Sequence, residues 1–502
     1  MEEGTRTLSG LSADEFFKEG FGYSYSDFST LDVTHKEIPI SDISLRTHLG
    51  KDVYLELPIL SAPMDRVTNS DICIAMSLNG GIGVLHYNYK KGEDSKEWDF
   101  EKQPSEIKRV KRFQNGFIER PITVSPDMKI AQVIALSSNL GIDVTSFPVT
   151  ANGEYNGKLV GLLRRQDYFK GSRTDASVRE RMLPIEESLL AKMPITLDQA
   201  VERIWAEHLQ ALPVVDDSGS LVYLVTRSDI EKREKYPLAT LDNKNRLRVL
   251  FAVNTWPESY ERLERGFDAG ADGVVVDTSQ GFGIHPDEML KYIAKKYPDK
   301  LIIGGNVTTK EAVLHLAGLR LDDSLARVVD SYRNGQGSGY GCETENVIAS
   351  SRTNATADYF CAKVLLGTHL ITIADGGMRY PGHLVKALAL GAYACMLGSM
   401  IAATDESPGR VIHDEHGKEM KEYWGMGFGR SDLGKGRGYS KMDEGKERPV
   451  EPVGSIYDYL PKLRSALLHA FEVKNCKSIE ELHKATFEGR IRFERFMGKG
   501  HI

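Results

Sequence analysis

The chain has little of what marks a secreted, membrane-spanning or nucleic-acid-binding protein. Its five cysteines, Cys73, Cys342, Cys361, Cys395 and Cys476, are odd in number and scattered, without the paired spacing of a zinc site or a disulfide framework. A reducing compartment is expected. No apolar run is long enough to cross a bilayer, and the opening MEEGTRTLSG is acidic and polar where a signal peptide is basic and then apolar. Positive charge is not in excess: the net charge is −7, which argues against a broad electrostatic footprint for nucleic acid. Short basic stretches such as 108–112 read as solvated helix faces. The expected setting is the cytoplasm, with neither membrane nor nucleic acid as a partner.

What is present is the composition of an ordinary globular protein, 502 residues with 41% hydrophobic and 27% charged, enough for two domains. Across residues 113–236, two similar units of roughly 60 residues repeat the order strand, helix, strand, strand, helix. The first passes through RPITVSP, an apolar helix near IAQVIAL, SFPVT and KLVGLLRRQDYF; the second through MPITLDQAVERIW, ALPVVDD and LVYLVTRSDIEK. In each, an aspartate, Asp167 or Asp229, follows the last strand and opens a helix. For any single Asp at such a position, capping is the favoured role.

The flanks, residues 1–112 and 237–502, alternate differently. Apolar runs LRVLFAV, GVVVDTS, LIIGGNV, ITIADGG and AYACMLGS are interleaved with amphipathic helical patterns at SYERLERGFDAG, PDEMLKYIAKKY and TKEAVLHLAG. Strands of about eight residues, each followed by a helix, predict parallel βαβ units. They fit one (β/α)8 barrel, split in sequence by the central insert. A doubly wound sheet is the alternative; it favours a GxGxxG turn after its first strand, and the chain has none there.

In a barrel of this kind, chemistry gathers at the C-terminal ends of the strands. SAPMD, DTSQG, GGN, GSGYGC, ADGG and LGS are expected there. Cys342 ends the run GQGSGYGC and is the one group in it able to form a covalent bond. Gly376, Gly377, Gly398 and Ser399 are expected in the loops after strands seven and eight, where backbone amides can grip a phosphate dianion. Read alone, Cys342 would be a buried structural thiol, as Cys73, Cys361 and Cys395 are expected to be in their apolar contexts. A glycine-rich loop rarely serves as core, which favours a reactive thiol instead.

From SAPMD, through HYN at His86, DTSQG, GGNV, GSGYGCET, SRTNATADY, ADGG, ALALGA, MLGS, ESPG and YWGMG, the chain resembles the inosine monophosphate dehydrogenases over nearly its whole length. GMP reductase, a close relative, shares the barrel and the cysteine loop. The central repeat resembles a tandem pair of CBS domains, which implies binding of adenine or guanine nucleotides, with Asp167 and Asp229 able to contact a ribose.

The resemblance implies NAD-dependent oxidation of inosine 5′-monophosphate (IMP) to xanthosine 5′-monophosphate through a covalent adduct at purine C2. Cys342 matches the nucleophile and Thr344 a residue that helps activate water. Alignment on RSDLG makes Arg430 the base, on a mobile flap near residues 420–450; a local alignment offers Arg437 and Tyr439 instead. Asp375 matches the carboxylate that holds the ribose hydroxyls. Gly376, Gly377, Gly398, Ser399 and Tyr423 match phosphate and base contacts, with Met64, Gly425, Met426, Gly427 and Glu444 in the same substrate pocket. Asp277, Thr278 and Ser279 match the nicotinamide ribose site, with Asn306 and Arg333 nearby. The carbonyls of Gly337, Gly339 and Cys342 match a site for potassium. The family's tetramers and octamers imply a homotetramer or octamer here.

Several residues depart from the pattern. Tyr340 stands where the family has a serine touching phosphate, Gly341 replaces an aliphatic residue, and Ser431 stands where a tyrosine accompanies the flap arginine. The segment FMGKGHI lacks the acidic residue and glycine pair that complete the family's cation site. Two alternatives stay open: a GMP reductase using the same cysteine with NADPH, toward which the EGK at Glu444 points, and a non-catalytic nucleotide-sensing protein.

Overall fold

Eight short apolar segments supply the strands of the larger part of the molecule. The computed structural model describes residues 9–31, 38–92, 97–113, 116–139, 144, 146–169, 173–321, 326–337, 339–425 and 445–496. The chain divides into two compact units, Met1–Lys108 with Arg248–Ile502 and Arg109–Leu247. In the first, β1 (Ile59–Ser61), β2 (Val84–Leu85), β3 (Leu250–Val253), β4 (Gly273–Val276), β5 (Leu301–Val307), β6 (Ser331–Asn334), β7 (Ile371–Asp375) and β8 (Ala394–Leu397) pair in parallel. Their order is β1-β8-β7-β6-β5-β4-β3-β2. Ile82 N donates to Ile59 O at 3.1 Å and Ser61 N to Ile82 O at 3.2 Å, which joins the two edges and closes the sheet into a barrel.

The strands are shorter than the apolar runs that announce them. In LRVLFAV, Leu247 and Val249 are fully buried yet lie outside β3, because burial needs only an apolar environment whereas a strand needs a ladder partner at every second residue. The intervening helices include α1 (Ser70–Leu78), α2 (Glu258–Asp268), α3 (Ile284–Lys296), α4 (Lys310–Gly318), α5 (Thr344–Ile348), α6 (Asn354–Val364), α7 (Pro381–Ala389), α8 (Ser399–Ala402) and α9 (Ile456–Val473). Side-chain caps start several of them: Asn69 Oδ1 accepts from Ile72 N at 3.0 Å and Thr309 Oγ1 from Ala312 N at 3.3 Å.

The period of two along each strand sorts side chains into two cores. Leu60, Val84, Leu250, Ala252, Val275, Leu301, Ile303, Ile373, Ala394 and Met396 form the inner one. Leu384 and Leu388 of α7 pack with Leu460, Leu463 and Leu467 of α9 in the outer one. Each such side chain contributes about 1.5–3 kcal/mol when fully buried. A hairpin, Thr47–Gly50 with Val53–Leu55, adds Leu49, Val53 and Leu55 to the inner core. The same alternation then carries Asp277, Arg333 and Asp375, each two residues beyond Val275, Ser331 and Ile373, to one layer at the C-terminal ends of β4, β6 and β7.

The second unit holds two three-stranded sheets, Ser146–Thr150 with Leu159–Arg164 and Leu183–Pro184, and Ala191–Lys192 with Ala211–Val215 and Leu221–Thr226. Helices Ile130–Asn139 and Leu197–Ala206 precede the long hairpin of each half. The expected first strand at RPITVSP is reduced to one parallel bridge, Val124 to Val149, because Pro121 and Pro126 withhold amide donors on either side. The segment leading into each half pairs with the last long strand of the other, or of its predecessor: Ile118 with Leu224 and Leu183 with Leu162. Among the described residues, no helix is long and apolar enough to cross a membrane.

Candidate functional site

Arg333 organises the mouth of the barrel. Strand alternation turns its neighbours Tyr332 and Asn334 the other way: the Thr372 hydroxyl donates to Tyr332 Oη at 3.1 Å and Asn334 Nδ2 to Asp358 Oδ1 at 2.7 Å. The buried guanidinium donates through Nη1 to Asp277 Oδ1 at 2.5 Å, and through Nε and Nη2 to Asp375 Oδ2 at 3.1 and 2.8 Å. Burial by itself would depress its proton affinity, but the charges of Asp375 and Asp277 outweigh that and raise it above the ordinary arginine value. Asn306 Nδ2 donates to Asp375 Oδ2 at 2.8 Å and to Gly335 O at 2.6 Å. Asp277 Oδ2 and Asp375 Oδ1 accept no hydrogen bond among the described residues, so each carboxylate keeps an oxygen for a sugar hydroxyl.

Beside Asp375 lies a turn shaped for an anion. Gly376 and Gly377 have φ of +81° and +72°. Asn354 Nδ2 holds the carbonyls of Asp375 and Gly376 at 3.0 and 2.7 Å, which in a trans peptide directs the Gly376 and Gly377 amides the opposite way. Those amides donate to no acceptor among the described residues. A Cβ on Gly377 would stand 3.0 Å from Asn354 Cγ, so both conformation and space require glycine. After β8, Gly398 is the N-cap of α8 and Ser399 its first residue. A Cβ on Gly398 would meet Tyr423 Oη at 3.0 Å and Met64 Sδ at 3.5 Å, which places both side chains at this loop. Burial, then Asp375, Cys342 and Tyr340, push the Tyr423 phenol above its usual range, so it keeps its proton to donate.

Cys342 differs from the other four cysteines. Cys73, Cys361, Cys395 and Cys476 are buried, and burial raises their thiols, that of Cys361 to about 12. Cys342 is half-buried, with Sγ 3.1 Å from Thr344 Oγ1 at the start of α5 and its amide donating to Gly339 O at 3.0 Å. Its loop packs backbone to backbone against the 423–425 segment. Lys446 N donates to Gly341 O at 2.9 Å and Gly425 N to Lys446 O at 3.2 Å, and Cys342 bridges to Gly445. A Cβ on Gly341 would lie 2.6 Å from Gly425 N, and one on Gly425 would lie 2.1 Å from Gly341 O. This contact accounts for glycine at 341, where an aliphatic residue is expected. Tyr340 lies under two guanidinium groups, with Arg379 Cζ 4.9 Å and Arg448 Cζ 5.5 Å from its ring centroid.

The residues expected from the sequence to hold a dinucleotide gather beside Arg333. Thr278 Oγ1 donates to Gly305 O at 2.8 Å, Asn306 N to Thr278 O at 2.9 Å and Gln336 Nε2 to Ser279 O at 2.8 Å, which fixes the loop after β4. Asn306 Oδ1 is buried without a partner among the described residues. An unmet acceptor there, with the spare oxygen of Asp277, fits a nicotinamide riboside, which offers an amide and a diol. For a cation, Gly339 O already takes the Cys342 amide but keeps its second lone pair, and Gly337 adopts a φ of +81°. Among the described residues, no three His, Cys, Asp or Glu side chains are grouped to hold a metal, so a cation would rest on main-chain carbonyls. Met426, Gly427, Arg430 and Glu444 lie outside the described residues, as do Ser431, Arg437 and Tyr439.

Four residues around these loops carry no role in the sequence reading: Asn354, Arg379, Asp65 and Trp424. Trp424 Nε1 donates to Asp65 Oδ1 at 3.0 Å, and Arg66 Cζ lies 4.2 Å over the indole. Asn354 and Asp65 sit in the motifs SRTNATADY and SAPMD, but their partners are 21 and 359 residues away, where no periodicity reaches.

A family profile described as "IMP dehydrogenase / GMP reductase domain" matches residues 22–501. The chain belongs to the IMP dehydrogenase/GMP reductase family. It is 36% identical to inosine-5′-monophosphate dehydrogenase of Schizosaccharomyces pombe, covering 97% of this chain and 92% of that protein. With the enzyme of the same name from Caenorhabditis elegans it shares 31% identity over 99% of this chain and 94% of that one. Among solved structures, a cysteine-to-alanine variant of GMP reductase from Trypanosoma brucei in complex with guanosine 5′-monophosphate superposes with a TM-score of 0.84 at 29% identity, covering 97% of each chain. GMP reductase from the same organism in complex with guanosine 5′-triphosphate gives 0.77 at 26%, over 97% of this chain and 100% of that one. The chain is therefore an enzyme of this family, an oxidoreductase, and its eight-stranded barrel is the family's barrel.

Proposed function

We propose that the enzyme oxidises IMP to xanthosine 5′-monophosphate with NAD through an adduct on Cys342. The observation that carries this is the convergence of one half-exposed thiol, a carboxylate with a spare oxygen and an anion-shaped glycine turn at the same end of the barrel. Asp375 holds the ribose hydroxyls, and the amides of Gly376 and Gly377, with Gly398, Ser399 and Tyr423, hold the phosphate. Met64 and Gly425, with Met426, Gly427 and Glu444 from the adjoining segment, border the purine.

Cys342 Sγ adds to C2 as N3 takes up the proton, which forms the carbon–sulfur bond. Asp277, Thr278 and Ser279, with Asn306 and Arg333, hold the dinucleotide, which when bound supplies the acceptor for the hydride leaving C2. The purine is then a thioimidate on Cys342. Water adds at C2, the carbon–sulfur bond breaks, and sulfur leaves as the thiol. Thr344 Oγ1, 3.1 Å from Sγ, positions that water, and Arg430 takes its proton. Gly337, Gly339 and Cys342 supply carbonyls for potassium, and a homotetramer or octamer goes with the same reading.

A second reading, GMP reductase, is favoured by the superposition on structures of that enzyme and by the EGK sequence at Glu444. The same thiol would then displace ammonia from C2, with NADPH delivering hydride. Incubation with IMP and NAD, or with GMP and NADPH, decides between them through the absorbance of the reduced cofactor. Growth in the first mixture is expected; decay in the second alone would replace the proposal with the reductase. Silence in both would leave the nucleotide-sensing alternative.

The unit Arg109–Leu247 is read as a tandem CBS pair that binds adenine or guanine nucleotides, supported by its duplicated order of elements. Arg164 N donates to Asp167 Oδ2 at 2.9 Å, and Thr226 Oγ1 donates to Asp229 Oδ2 at 2.6 Å. These bonds support capping over ribose contact for both aspartates.

A further inference from the structure

We propose that Arg379 is a ligand of the nucleotide's 5′-phosphate and sets the preference for nucleotide over nucleoside. The proposal rests on reading the site as one for a purine nucleoside monophosphate. Arg379 follows the anion turn by two residues, and its amide donates to His383 Nδ1 at 3.3 Å, which ties the start of its chain to α7.

Its side chain lies on Tyr340, with Cζ 4.9 Å from the ring centroid. That ring belongs to the phosphate end of the site on two sides. It is 6.1 Å from the ring of Tyr423, whose hydroxyl crowds Gly398. It also follows Gly339, whose Cα would be 3.4 Å from a Cβ on Gly376. Tyr340 thus lies near both glycine loops, through Gly339 on one side and Tyr423 on the other, and Arg379 lies over it.

The two arginines on this ring differ in what balances them. Arg448 Nη2 pairs with Glu343 Oε1 at 3.4 Å. The Arg379 guanidinium has neither a carboxylate nor any other hydrogen-bond acceptor among the described residues. A contact with the ring uses none of the acceptors its N–H donors can take, and a guanidinium's donors match phosphate oxygens in pairs. A phosphate monoester carries about −1.5 to −2 charges at pH 7. The Gly376 and Gly377 amides are neutral dipoles, so Arg379 supplies the formal charge that the turn lacks.

Calorimetric titration of the full chain with IMP, GMP and inosine tests this, comparing wild type with Arg379→Ala and Arg379→Lys. Loss of a charge-assisted phosphate contact is expected to weaken IMP by about 10- to 100-fold while inosine affinity stays the same. The lysine variant should recover part of the loss, because it restores the charge without the paired edge. Equal IMP affinity in wild type and Arg379→Ala would overturn the proposal, and so would a parallel loss for inosine, which is the mark of a structural role. A wild-type chain that binds neither IMP nor GMP would overturn the reading of the whole site and this proposal with it.

Discussion

At the scale of single residues, the proposed site centres on one thiol and one guanidinium. Cys342→Ala is expected to abolish turnover in either assay while nucleotide binding, measured by calorimetry, persists, because Asp375 and the glycine turns are untouched; retained turnover would remove Cys342 as nucleophile. Arg333 is a different kind of residue, since its buried charge neutralises Asp277 and Asp375 together. Arg333→Met leaves two partly buried carboxylates without their cation, a change expected to cost about 1–3 kcal/mol in urea denaturation. Cys342 is legible in the sequence because glycine punctuation isolates it. The bridging role of Arg333 is not, because its partners lie 56 and 42 residues away on neighbouring strands.

At the scale of elements, one packing contact holds the loop that carries the thiol. Gly425→Ala drives a methyl to within 2.1 Å of Gly341 O, so the cysteine loop must shift away from residue 425, straining the bond from Lys446 N to Gly341 O. Overpacking of this kind costs about 1–3 kcal/mol. Turnover is expected to fall far more steeply than the urea midpoint, because Sγ moves with the loop. On the outer face of β6, Asp358 of α6 is fully buried between Tyr25 and Asn334. Burial raises its carboxyl to about 7 against the opposing hydrogen bonds of Tyr25 and Asn334, with Asp375 adding to the rise. Between the ordinary value of 3.8 and about 7 the folded chain holds a proton that the unfolded chain has lost, so stability falls as pH rises through that window and levels off above it. Urea midpoints at about pH 5 and about pH 8 should show this fall in the wild type and a much smaller one in Asp358→Asn.

At the scale of the whole molecule, every described residue assigned to the reaction belongs to the unit formed by 1–108 and 248–502. Adenine or guanine nucleotides bound by Arg109–Leu247 are therefore expected to act without displacing substrate. Kinetics at rising ATP or GTP should change turnover while competition against IMP is absent; simple competition would place the effector at the barrel site instead. The central unit shows in the sequence as a change of pattern, from strands alternating with helices to a duplicated order of elements. Its edges do not, since 109–247 reaches beyond the repeated segments, and the lost first strand at RPITVSP turned on two prolines.

Sequence alone determined the barrel and the glycine turns, because periodicity and backbone permissiveness are local properties. It also carried the motifs that mark the family. Only the tertiary structure decided which groups meet: Arg333 between two carboxylates, Asn354 behind the anion turn, Gly341 against Gly425, and Arg379 laid on Tyr340. Those contacts join residues far apart in the chain, and their energies depend on burial and distance, which no local pattern encodes.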